Sequence, residues 1–293
     1  MAHDPTTAFE RNRTLWDDRV AVHRRDATGF YEVEDFLAGK DILGPIEAAE
    51  VGEVRGLRVA HLQCHFGMDS ICLARRGAIV TGLDFSPLAI AEARELARET
   101  GTDVQFVEGN VYEARALLEG AFDLVYTTWG TITWLPDVTA WAQVVASLLK
   151  PGGSLYFVDG HPMMQCLEMI DGQIVLRFDW RTPIDRPIVE SSGTSYTGDK
   201  VAHLESHEWI HPMSDMLNAF IGAGLRLDWI REHTRLAWPY FPNMHRDRDG
   251  MYRLPEGYPR LPLALSLKAT KERAGLSHMT TNPGHAVSFF VSS

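Results

Sequence analysis

The chain has 293 residues, 45% of them hydrophobic, with 28 Lys+Arg against 39 Asp+Glu and a formal net charge of −11. That length makes one large domain or two small ones with a core that needs no disulfide or metal staple. Three cysteines, Cys64, Cys72 and Cys166, exclude a disulfide scaffold and suit a reducing compartment. The acidic balance argues against nucleic acid as a partner. No apolar run approaches the ~20 residues that span a bilayer, and the polar start is unlike a secretory signal. The expectation is a soluble cytoplasmic enzyme, with no membrane partner and an open oligomeric state.

Residues 1–55 read as a helical arm or cap carrying Trp16, His23, Phe30 and Tyr31. From 56 to 160 short apolar runs alternate with amphipathic stretches, the mark of a parallel α/β sheet covered on both faces. The runs are 57–63, 78–85, 104–109, 122–128 and 154–160. Pro87 opens one helix, with Ile90, Ala93, Leu96 and Ala97 on one stripe and Gly101 as its stop. Asp137 caps a second, with Val138, Trp141, Val145, Leu148 and Leu149 inward, Lys150 in its last turn and Pro151-Gly152-Gly153 ending it. Residues 161–211 form an insertion in which 174–180 and 201–210 are expected to pair as a hairpin lid. The segment 212–293 completes the domain with a helix over 212–223 and strands over 225–231 and 263–271. A long loop between those strands holds Trp238, Tyr240, Phe241, Tyr252 and Tyr258, and the last twenty residues have no assignment. The architecture expected is α/β, a doubly wound, mostly parallel sheet with a helical arm and an inserted lid.

Open parallel sheets bind ligands at the carboxyl ends of their strands. The turn after the first strand runs Leu62-Gln63-Cys64-His65-Phe66-Gly67, and the second strand ends in Asp84. A carboxylate there accepts both hydroxyls of an adenosine ribose, a need shared by nicotinamide cofactors and S-adenosylmethionine. A pyrophosphate demands G-x-G-x-x-G, but Gln63 and His65 occupy two of the glycine positions and only Gly67 remains. A cofactor without phosphate tolerates that turn; a dinucleotide fits it badly.

These residues resemble the class I, seven-stranded S-adenosylmethionine-dependent methyltransferases, in a branch whose first loop reads HLQCHFG. HLQCHFGMDS, GAIVTGLDFSP, FVEGNVY, FDLVYTTWGTITWLPD and LLKPGGSLYFVDGHP carry the resemblance, which runs from about Asn12 to Lys271. It implies a Rossmann-like sheet of seven strands and S-adenosylmethionine as cofactor. It places Leu62, Gln63 and Gly67 along the methionine portion and Asp84 on the ribose, with Phe85 and Ser86 beside it. Asn110 and Val111 would meet the adenine edge, and Thr128, Trp129 and Gly130 would pass under the sulfonium. His65 and, from the arm, Trp16, His23 or Tyr31 would complete the amino-acid end. The implied activity is methyl transfer to an O, N or S atom of a small molecule. The rivals are an adenosyl-ligand-binding protein without turnover and, third, a nicotinamide oxidoreductase. The (D/N)-P-P-(Y/W) signature expected of amino-methylating DNA enzymes is absent.

A base is needed only when the accepting atom starts protonated. His161, in the turn after the fifth strand, is the first candidate and His207 the second. His203, Glu205, His207 and His211 share one face if they lie on a strand. That pattern can hold a metal, but substrate contact, by His203 for one, is favoured and no metal is expected. His61 reads as a core histidine. Trp238, Tyr240 and Phe241 are expected to wall the substrate.

Overall fold

The computed structural model describes residues 5–191 and 194–273; the unassigned last twenty residues lie outside the described residues. Seven strands form one sheet: β1 (Arg58–Leu62), β2 (Ile79–Asp84), β3 (Gln105–Glu108), β4 (Phe122–Thr128), β5 (Leu149–Gly160), β6 (Leu225–His233) and β7 (Ala264–Lys271), in the order β6-β7-β5-β4-β1-β2-β3. The first five pair in parallel, while β7 runs antiparallel to both β5 and β6. Because the chain turns one way from β1 to β3 and the other way from β4 onward, a crevice opens where β1 and β4 part at their carboxyl ends.

Alternation along the strands divides the core into two layers. Val125 of β4 and Leu155 and Phe157 of β5 pack under Trp141 and Phe220. These two rings come from α4 (Val138–Leu148) and α5 (Met213–Gly222), numbered in chain order after α1 (Pro5–Arg25), α2 (Met68–Arg75) and α3 (Pro87–Thr100). Tyr126, Tyr156 and Val158 face the other layer, built from α2, α3 and the short helices Val33–Leu37 and Pro45–Glu50. Ser86 caps α3, its hydroxyl accepting from Ala89 N, and Gly101 ends it at φ 62°. Among the described residues no helix is long and apolar enough to cross a membrane.

Two local expectations fail. Helix α4 begins at its Asp137 cap but stops at Leu148, so Lys150 belongs to β5 instead. A residue before proline is driven out of the helical region, and Lys150 extends to bond Asp123. The insertion makes two hairpins rather than one: Leu167–Ile170 pairs with Gln173–Leu176, and Ile188–Ser191 with Glu205–Glu208. Asp171 and Gly172, at φ 50° and 75°, form the two-residue turn that closes the first. Once Ile174 pairs with Met169 across that turn, it is unavailable to residues 201–210.

Candidate active site

The crevice leads into a cavity of about 960 Å³ bounded by the carboxyl ends of β1, β2 and β4, by α1 and by the insertion and aromatic loop. Its floor is the turn after β1. Gln63, His65 and Gly67 stand at φ 57°, 48° and 79°, so two side-chain-bearing residues hold a left-handed backbone at roughly 1–2 kcal/mol each. Fixed bonds hold the turn in place. Cys64 N donates to Leu83 O at 3.0 Å, His65 N to Asp84 Oδ2 at 2.8 Å, and Gln63 Nε2 to Thr131 O at 2.9 Å. Gly67 alone admits no side chain, since a Cβ would lie 2.5 Å from the Phe106 ring. Gln63 Oε1 is buried and has no hydrogen-bond partner among the described residues.

Asp84 ends β2 on the cavity wall, 6% exposed. Its oxygens accept from Ser86 N (3.0 Å) and His65 N (2.8 Å), leaving a lone pair on each for a ligand. Burial lifts its pKa to about 6. Phe85 lines the cavity beside it. Ser86 does not, because its hydroxyl caps α3 and donates to Asp17. Gly109 and Val111 line the wall, whereas the Asn110 side chain turns back to accept from Tyr112 N. Leu62 lies in the core beneath the turn.

The loop after β4 carries Thr128, Trp129 and Gly130 on the cavity wall. It is organised by Asp159, which sequence reading did not single out. This buried carboxylate accepts from Gly130 N (2.6 Å), Thr131 N (2.8 Å) and Ile132 N (3.0 Å). Two more acids were missed. Glu47, from a short arm helix, accepts from Trp129 Nε1, and burial pushes its pKa up to about 7. Asp69, at the start of α2, accepts from Thr128 Oγ1 at 3.2 Å and is lifted by burial to about 6.

From the arm, Trp16 and Tyr31 reach the cavity, and Arg19, also missed, reaches it between Trp16 and Trp134. His23 stands behind the wall, bonded to His65 Nε2 (2.9 Å) and Ser195 Oγ (2.7 Å). Burial holds His65 near pKa 3 and thus neutral. His61 bonds Ser70 Oγ at 2.7 Å and is also pushed down to about 3 by burial, as a core histidine should be. Trp238, Tyr240 and Phe241 line the opposite wall, with Trp238 edge-on to Trp129 at 6.1 Å between ring centroids.

The proposed bases need correction. His161 does not line the cavity: its Nδ1 accepts from Met163 N, capping a short helix, and its Nε2 contacts Glu232 at 3.1 Å. In the second insertion hairpin the strand covers only Glu205–Glu208, and Leu204, Ser206 and Glu208 face the cavity. His207 therefore turns away and contacts Glu205. His203 is exposed and bonds Asp18 at 2.8 Å, so it is no substrate contact. His211 bonds Leu135 O. No group of three or more metal-ligating residues forms among the described residues.

Residues 59–153 match the family model for the methyltransferase domain. A ubiquinone biosynthesis O-methyltransferase of Cronobacter sakazakii is 37% identical over 144 residues, 48% of this chain and 59% of the relative. One from Escherichia coli O7:K1 is 29% identical over 153 residues, 50% and 62% of the two chains. The chain thus spans about three-fifths of the length of these curated relatives. Among solved structures, an S-adenosylmethionine-dependent methyltransferase from Mesorhizobium loti superposes with a TM-score of 0.55 at 22% identity, over 80% of this chain and 99% of that one. Another from Clostridium acetobutylicum gives 0.52 at 13%, over 85% and 94%. The fold is shared with these solved S-adenosylmethionine-dependent methyltransferases, and residues 59–153 match a methyltransferase domain.

Proposed function

We propose that this chain transfers a methyl group from S-adenosylmethionine to an O, N or S atom of a small molecule, within a branch marked by the HLQCHFG loop. The observation that carries the reading is Asp84, an acid at the end of β2 with both oxygens oriented by backbone amides on the cavity wall. Residues 56–160 would bind the cofactor, 1–55 cap it, and 161–211 with the aromatic loop cover the acceptor.

The residues present fit that cofactor. Asp84 would accept ribose hydroxyls, Gly109 and Val111 would flank the adenine, and the unpartnered Gln63 Oε1 would accept from an ammonium. When bound, the cofactor supplies a methyl group already activated on a sulfonium. The protein's task is then alignment and dryness. Asp159 fixes the 129–132 loop as a rigid floor, while Trp129, Trp238 and Tyr240 hold an acceptor and exclude water. For an acceptor that starts protonated, Glu47 is the matched base, because a group with pKa near 7 is half ionised at neutral pH.

The matched relatives are named as O-methyltransferases. The family-model match ends at residue 153, before the insertion and aromatic loop begin. Incubation with methyl-labelled cofactor and a metabolite extract, read by mass spectrometry, tests the reading. A labelled small molecule is expected. Tight cofactor binding with no labelled product would make this an adenosyl-ligand-binding protein instead.

A further inference from the structure

Two acids hang from consecutive residues of the loop after β4. Thr128 Oγ1 donates to Asp69 at 3.2 Å, and Trp129 Nε1 donates to Glu47. Both acids line the cavity, and Glu47 is only 2% exposed. No cation answers either of them among the described residues: the charge that Glu47 feels is Asp69, and the charge that Asp69 feels is Asp41. Glu47 Oε2 accepts no well-formed hydrogen bond, and the Gly44 and Glu47 amides offset its burial only in part. The next acid of the same short helix is treated differently. Glu50 has Arg231 at 3.0 Å and the Tyr156 hydroxyl at 3.1 Å.

Holding two carboxyls out of water with no cation between them is costly, and a cationic ligand removes the cost. Trp129 adds a second feature that suits such a ligand. Its ring meets Trp238 at 77°, and an indole face beside a carboxylate is a binding place for an ammonium. This corner lies over the ends of β4 and β5, whereas Asp84 ends β2, on the far side of β1. We propose that the acceptor is an amine, held as its ammonium by Glu47 beside Asp69 and against Trp129, and methylated on nitrogen. The inference rests on the methyl-transfer reading and narrows it. Glu47 takes a proton from the ammonium, and the freed nitrogen lone pair attacks the methyl carbon. The C–S bond breaks with its electron pair left on sulfur. The products are a methylammonium, protonated Glu47 and S-adenosylhomocysteine.

Calorimetry on the S-adenosylhomocysteine complex of the full chain tests this with three probes of similar shape: phenethylamine, 2-phenylethanol and phenylacetate. Wild type and Glu47→Gln are compared at pH 8, where the amine is charged. Phenethylamine should bind wild type at least ~10-fold more tightly than either other probe, as a charge-assisted contact does. Glu47→Gln should lose that preference while binding S-adenosylhomocysteine as wild type does. Equal affinity for the three probes, no binding of phenethylamine, or a preference that survives in Glu47→Gln overturns the proposal. An equal fall in S-adenosylhomocysteine affinity in Glu47→Gln also overturns it, because the acid would then serve the cofactor's own ammonium. If Glu47→Gln does not fold, wild type decides alone. An ammonium keeps Glu47 ionised, so phenethylamine should release protons at pH 7, near the pKa of about 7 that Glu47 has without it. The release is read from binding heats in buffers of different ionisation enthalpy, and 2-phenylethanol should give none. No release with phenethylamine overturns the proposal. Failure of wild type to bind S-adenosylhomocysteine would overturn the methyl-transfer reading itself, and this inference with it.

Discussion

At the scale of single residues, the site is built from acids held out of water. Asp84 is the one that the sequence singles out, because it ends the strand that follows the loop keeping Gly67. Charge-assisted bonds to ribose hydroxyls are worth about 1.5–3 kcal/mol, and 1.4 kcal/mol is tenfold. Asp84→Ala should therefore weaken S-adenosylhomocysteine binding at least ~10-fold by calorimetry. Unchanged affinity in a folded variant removes the assignment. Glu47 and Arg19 were illegible for a physical reason: nothing in PIEAAE or TLWDDRV says which polar side chain the arm will bury, since that is decided by packing against distant segments. Glu47 has a double signature. Its folded pKa, about 7, stands above the ordinary 4.5, so its contribution to stability is full below pH 4.5 and is lost as pH rises through 7. Glu47→Gln should then match wild type in urea unfolding at pH 4 and exceed it by about 3 kcal/mol at pH 8, at about 1.36 kcal/mol per pKa unit. If Glu47 is also the base, wild-type turnover rises with pH through about 7 and the glutamine variant loses that limb. A limb that survives in Glu47→Gln assigns the proton to another group.

Among elements, the strands, the start of α3 and the cap of α4 were legible because they depend on local chemistry: continuous apolar runs, Pro87 at a first helical position, Asp137 two and three residues before amides it can accept from. The insertion was misread because a hairpin is set by its turn, and Asp171-Gly172 outranked the apolar content of 174–180. That error moved the histidines. On the face expected to hold His203 and His207, the register instead presents Leu204, Ser206 and Glu208 to the cavity. The aromatic loop lies against the end of β5, with Trp238 carbons 3.3 and 3.5 Å from where a Gly160 Cβ would stand. Aromatic walls give large contact area at little rotamer cost. Trp238→Ala and Tyr240→Ala should each lower kcat/KM for the acceptor by roughly tenfold, as a lost aromatic contact of ~1.5 kcal/mol does, with cofactor affinity unchanged. A matching fall in cofactor affinity would place these rings on the cofactor instead.

For the molecule as a whole, the roof and the floor are joined differently. The floor belongs to a seven-stranded sheet packed on both faces. The roof consists of two separate two-stranded hairpins with Leu176 and Trp180 exposed, and isolated hairpins are marginal on their own. Helix α1 makes polar contacts to both. On the roof side Asn12 exchanges both hydrogen bonds with the His207 backbone, at 2.8 and 2.9 Å, and Asp18 receives Ala202 N and His203 N. On the floor side Asp17 accepts from Ser86, and Arg24 pairs with Glu92 and Glu99. A cavity that must admit an acceptor and then exclude water draws its moving parts from the less stable end of the fold. Amide exchange should accordingly be fast over 167–176 and 188–191 and slow over β4, and S-adenosylhomocysteine should slow exchange in α1 and in the turn at 63–67. Asn12→Ala removes both hydrogen bonds to the His207 backbone, each worth about 0.5–1.5 kcal/mol. It should speed exchange over 205–208 and α1 by roughly ten- to a hundredfold while leaving β4 untouched. Acceleration of β4 by the same factor would mean that roof and floor open as one unit and that α1 is no hinge between them.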